Sequence, residues 1–200
     1  MADTIRDGKG RGYLAGVNSD NQLITRATAV EQRLHSSIDG AYFEATTGEI
    51  TLTDAVKTPM IYVKNDNTDQ GTVFVIDRVF FDVWGTTGGT GNGTLEYYKN
   101  PTITGGTDII PVNSNFGSGN TMEGTFKKSL TTMVDGGGTQ DVHWWWASVS
   151  ESSSNVVEEG RIVIPAGYSF GIAYTAPAGN TSQKISINIA MYEFEINKIQ

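Results

Sequence analysis

The chain has no cysteine. That excludes a disulfide framework, a thiolate metal site and a thiol nucleophile, and several enzyme classes with them. Histidine is almost missing as well: the two present, His35 and His143, lie too far apart in sequence to suggest a metal cluster. Charge is sparse at 18% of residues, and 14 Lys and Arg against 22 Asp and Glu leave a formal −8. Such a chain repels phosphate backbones at long range, so no nucleic-acid partner is expected. No run of apolar residues is long enough to cross a bilayer, and the opening MADTIRDGKGRGYL carries no apolar segment after its charges. Neither a membrane span nor a signal peptide is expected, and the protein is expected to stay in the cytoplasm where it is made.

What is abundant is glycine, at 24 residues in a chain of 200, together with threonine. That balance suits strands joined by tight turns, and the length suffices for a core without covalent staples. The first forty residues hold Gly8, Gly10, Gly12 and Gly16, mixed charges and isolated apolar anchors such as Tyr13, Leu14 and Val17. They read as an extended amino-terminal arm, residues 1–40. Within it TRATAVEQRLHSS, Thr25 to Ser37, tolerates a helix, but its apolar stripe is too narrow to hold one without another surface.

From Tyr42 the period changes to two. VKNDNTDQGTVFV reads as two strands around a polar hairpin turn, and VFVIDRVFFDVW, Val73 to Trp84, reads as a central strand. Tyr168, Phe170, Ile172 and Tyr174 alternate cleanly. Ile185, Ile187, Ile189 and Met191 share one parity before Tyr192, Phe194 and Ile196 take the other, which predicts a bulge near Ala190 or a change of sheet. Eight to ten strands without interleaved helices predict an antiparallel β-sandwich over residues 41–200, of jelly-roll type.

Three tryptophans in a row, DVHWWWAS, stand out. On a strand Trp144 and Trp146 share one face and His143 and Trp145 the other, so the rings form no single flat platform. We read His143, Trp144, Trp145 and Trp146 as interface or ligand candidates, a buried or subunit-facing role being favoured over a sugar platform. NDNTDQG, Asn65 to Gly71, spaces oxygen ligands like a calcium loop but has Gln70 and Ile76 where that loop needs glycine and glutamate. Gly85 to Gly93 lacks a phosphate-cradle pattern. Glu158 with Glu159, or Glu193 with Glu195, could form a carboxylate pair, but adjacent residues on a strand point apart and an i, i+2 pair on a surface strand reads as solvated. No enzyme activity, metal or cofactor is expected.

Two passages resemble tailed-bacteriophage virion proteins. DGKGRGYLAGVNSDNQLITRA, Asp7 to Ala27, is similar to an amino-terminal signature in which a glycine-rich start leads to KV-(D/N)-x-(D/N)-x-L; here GVNSDNQL has Gly16 in the basic position. RIVIPAGYSFGIAYTAPAGNTSQKISINIAMYEFE, Arg161 to Glu195, resembles the last strand pairs of phage jelly-roll structural proteins. Together they span about a quarter of the chain. The resemblance implies an outer capsid decoration or cement protein in the virion, assembled in the host cytoplasm, with the major capsid protein and copies of itself as partners in a homotrimer. It implies docking through Asp7, Gly8, Gly10, Gly12, Tyr13, Leu14, Val17, Asn21 and Leu23. The alternative is a tail-associated or receptor-binding carbohydrate-recognition module, and after it a glycan hydrolase.

Overall fold

A computed structural model describes residues 4–6, 14–17, 23–24, 32–53, 55–85, 93–134, 144–147, 152–179 and 183–195; side chains are described for 34, 36–53, 55–85, 93–134, 162–179 and 183–195. The chain divides into two units, Met1–Glu31 and Gln32–Gln200. In the first, β1 (Thr4–Arg6), β2 (Leu14–Val17) and β3 (Leu23–Ile24) pair antiparallel in the order β1-β2-β3. The expected arm ran to residue 40, whereas residues 32–40 belong to the second unit. There the short helix α1 (Gln32–Ile38) packs against β4 (Tyr42–Thr46) and β15 (Lys184–Glu195), with Ser36 buried and Leu34, of the narrow apolar stripe, left exposed. Gly40 closes the helix in the left-handed region, φ 69°, and a Cβ there would meet Ser118 Oγ at 2.3 Å.

The second unit is an antiparallel β-sandwich. Its remaining strands are β5 (Ile50–Thr51), β6 (Lys57–Asn65), β7 (Thr72–Trp84), β8 (Gly93–Lys99), β9 (Thr102–Asp108), β10 (Val112–Asn113), β11 (Gly124–Val134), β12 (Trp144–Ala147), β13 (Ser152–Ile164) and β14 (Ser169–Thr175). One sheet runs β10-β4-β15-β7-β13 with β5 beside β15, and the other runs β12-β8-β14-β6-β11-β9. Four of the pairings nest: β4 with β15, β6 with β14, β7 with β13 and β8 with β12. Hydrophobic residues of both sheets make one core, including Phe43, Phe74, Ile76, Leu95, Ile172, Tyr174, Ile187 and Met191. Each fully buried aliphatic or aromatic side chain there contributes on the order of 1.5–3 kcal/mol. Phe74 of the first sheet stacks on Phe126 of the second at 6.1 Å.

The central-strand reading of Val73 to Trp84 holds, since β7 lies between β15 and β13. The hairpin reading of Asn65 to Gly71 does not. β6 and β7 lie in different sheets, so the turn crosses between them. The reason is Asn65, fully buried at 0% exposure: its Nδ2 donates to Thr72 O and Ile164 O, both at 3.0 Å, and its Oδ1 accepts from Asn67 N at 3.1 Å. One side chain thus satisfies backbone groups of the crossing and of β13, groups that strand pairing at a hairpin would otherwise have satisfied.

A register slip falls between Ala190 and Met191, where a bulge was expected, and the extra residue is Asp77 of β7. Asp77 is buried and accepts hydrogen bonds from Tyr42 Oη at 2.8 Å and Arg78 Nε at 2.9 Å. Ile185, Ile187, Ile189 and Met191 all enter the core, while Tyr192 stacks on Tyr42 at 6.4 Å.

Outside the second sheet lies a smaller cluster of Tyr62, Tyr98, Leu130, Met133 and Ala173. Ser129 (φ 50°) and a register shift between Leu130 and Thr132 make the β9–β11 pairing irregular. Gly171 permits the close approach that results, because a Cβ there would lie 2.7 Å from Met133 Sδ. This is why β14 buries both parities, although its sequence alternates.

Candidate functional site

Of the expected docking residues, Asp7, Gly8, Gly10, Gly12, Tyr13 and Asn21 lie outside the described residues. Leu14, Val17 and Leu23 are brought onto the small first-unit sheet, with Arg6 opposite Leu14 and Val17 opposite Leu23. His143 also lies outside the described residues. The tryptophans form β12, an edge strand on β8, with Trp144 opposite Glu96, Trp145 opposite Leu95 and Trp146 opposite Thr94.

Glu96 belongs to a compact polar group. Its carboxylate receives Tyr98 Oη at 2.5 Å and pairs with Lys57 Nζ at 2.5 Å, and Lys57 Nζ donates to Tyr98 Oη at 2.9 Å. Burial, reinforced by the bond to Glu96, pushes the Tyr98 phenol up. Burial opposes the Lys57 charge, but the bonds to Glu96 and Tyr98 outweigh it and raise that pKa. With both pKa values raised, Lys57 stays charged and Tyr98 neutral at neutral pH, and the trio braces the underside of the outer cluster. The core phenol of Tyr174 is pushed up by burial to about 12, partly offset by the neighbouring Gln183 amide, although no well-formed hydrogen bond joins the two.

Glu193 and Glu195 lie at the end of β15; burial raises the Glu193 pKa, and a hydrogen bond from Asn67 opposes the rise. Among the described residues no cluster of three His, Cys, Asp or Glu could hold a metal ion.

Two features were not read from the sequence. The first is a set of exposed hydrophobic residues on the loop NSNFGSGN (113–120), its flank and α1. Phe116 is 93% exposed, Ile110 87% and Ile38 64%, and Leu34 and Val112 are exposed beside them in the chain. Side-chain amides hold this loop to the end of the helix: Asn115 Nδ2 donates to Ile38 O at 3.0 Å, Asn113 Nδ2 to Gly40 O at 2.8 Å and Asn120 Nδ2 to Asp39 O at 3.3 Å. In sequence this stretch is polar and glycine-rich, and its one distinguishing signal is the density of asparagine around Phe116.

The second is a cleft of about 250 Å³ at the side of the sandwich, where edge strand β13 meets β8 and β14. Its floor is apolar, from Ile162, Ile164 and the edge-to-face pair Tyr97–Phe170 at 5.2 Å. Its rim holds Tyr168, Ser169, Lys99 and Asn100. The turn that carries Tyr168 is clamped to the buried asparagine: Asn65 N donates to Tyr168 O at 3.0 Å and Gly167 N to Asn65 O at 2.8 Å.

No family model matches the chain, and no curated protein is significantly similar to it in sequence.

Proposed function

We propose that the chain is a non-enzymatic structural protein of a tailed-bacteriophage virion, an outer capsid decoration or cement protein that acts as a homotrimer. It docks on the major capsid protein through its amino-terminal region. The observation that carries this reading is the exposure of Phe116 and its neighbour Ile110, on and beside a loop that side-chain amides fasten to the end of α1, on a body with its own core. A monomer gains nothing from fixing large hydrophobes in water, whereas a protein whose task is adhesion gains a preorganised contact. The nested strand pairing supports the jelly-roll form of the body, since it is the wiring of one long hairpin rolled into two sheets. The acidic charge suits an outer position away from packaged genome.

Truncation tests it. Removing residues 1–31 is expected to leave a folded, soluble body that no longer sediments with shells lacking the protein. Removing 1–40 is expected to destabilise the body as well, because Gly40 O is the acceptor for Asn113 and Asn120. Unchanged shell occupancy after the first truncation would overturn the reading.

A second reading, a tail-associated or receptor-binding carbohydrate-recognition module, is favoured by one observation, the aromatic-floored cleft beside Tyr168.

A further inference from the structure

We infer that this cleft binds a single pyranose residue of a glycan, with Tyr168 as the stacking platform; the inference rests on the second reading above and names its site. At about 250 Å³ the cleft is smaller than the roughly 300–1,000 Å³ of pockets for drug-sized ligands, which matches a single sugar ring of a longer glycan.

Its chemistry is two-sided, as a sugar ring is. Tyr168 is 49% exposed, which leaves part of a large flat ring open to an apolar sugar face, and the core rings of Tyr97 and Phe170 also line the cleft. The rim supplies hydrogen-bonding groups at fixed positions. Asn100 sits in the left-handed region, φ 49°, where its N–H donates to Ser169 O at 2.9 Å and its Oδ1 accepts Ser169 N at 2.8 Å. With its Oδ1 engaged, that amide still carries two Nδ2 donors, and Ser169 Oγ and Tyr168 Oη add groups that both donate and accept.

The platform is also preorganised. The Tyr168 turn is fastened by two backbone bonds to Asn65 and closed by Tyr168 N donating to Pro165 O at 3.0 Å. A platform locked in this way loses little entropy on binding, which is what lets a ligand of a dozen heavy atoms bind measurably, with dissociation constants of about 1–10 mM.

The test is amide NMR on the full chain, titrated with the methyl glycosides of glucose, galactose, mannose and N-acetylglucosamine. Saturable shifts are expected at Asn100, Val163, Tyr168 and Ser169 for at least one of them. Tyr168→Ala should weaken that binding tenfold or more with the remaining spectrum unchanged, while Tyr168→Phe retains most of it. The inference is overturned if no cleft amide responds to any of the four, or if responding amides map to β12 instead. Retention on immobilised dextran, mannan, galactan or chitin oligomers separates the two levels. If an intact protein is retained and Tyr168→Ala is retained equally, carbohydrate recognition stands and this site falls. If no column retains the protein but the cleft amides respond, the site stands and the broader reading falls.

Discussion

Two asparagine-rich loops of the body, NDNTDQG (65–71) and NSNFGSGN (113–120), look alike in sequence and do opposite things. In the first, the asparagine goes inside. Asn65 is completely buried and ties the crossing between the sheets to β13. In the second, the asparagines stay near the surface and fasten a loop whose hydrophobic residue, Phe116, is held in water. The amide side chain serves both because it carries two donors and an acceptor that can replace backbone partners in either setting. What differs is the cost of losing it. A buried amide leaves unpaired groups that water cannot reach, while an exposed one leaves groups that water resatisfies.

The largest effect is expected from Asn65→Ala. It strands the carbonyls of Thr72 and Ile164 and the donors of Asn67, and at about 1–3 kcal/mol per buried unpaired group the loss should reach about 3 kcal/mol or more. The matched change Asn115→Ala should cost under about 1 kcal/mol, since its bonds to Ile38 O and Gly117 N are exposed. Urea unfolding midpoints of the two variants would check this, and equal losses would break the contrast.

Next comes Phe116→Ser combined with Ile110→Ser. Both side chains are almost fully exposed, so thermal stability should change by no more than about 0.5 kcal/mol. Under the adhesive reading, co-sedimentation with shells should nevertheless fall at least tenfold. A variant that still binds would show that the second loop holds its hydrophobes out for no docking purpose.

Strands and inner faces were legible because period-two alternation reports directly on burial: Phe170, Ile172 and Tyr174 all reach the core, as do Ile185 to Met191. The bulge near Ala190 was legible for the same reason. Partner choice was not. Nothing local in VKNDNTDQGTVFV distinguishes a hairpin from a crossing between sheets, because the decision rests on Ile164, far along the chain, accepting from Asn65. Burial on both parities of β14 likewise depends on the distant strand β11 that carries Met133. The candidate surfaces were the least legible part. Exposure of Phe116 and the clamping of Tyr168 come from tertiary bonds of asparagines, and turn-forming residues give the same local signal whatever they fasten.

The smallest effect belongs to the titratable groups around the first loop, and its sign is instructive. Asp66 sits against Lys64 and Thr125; burial opposes its charge, but their hydrogen bonds win and lower its pKa. A lowered carboxyl contributes stability that is present above its unfolded value of 3.8 and lost as pH falls through the folded value. Glu193, which meets Asn67 of the same loop, runs the other way. Burial raises its pKa above 4.5, so its protonated form is favoured by folding, and that stabilisation is complete below 4.5 and lost as pH rises through the raised value. At pH 7 its charge is therefore a cost that Glu193→Gln removes while keeping an acceptor for Asn67. The variant should be more stable by a few tenths of a kcal/mol at pH 7, with the gain shrinking toward pH 4. Thermal melts at both pH values would check it: a gain that is the same at both would mean that packing, and not desolvation of the carboxylate, governs this end of the sandwich.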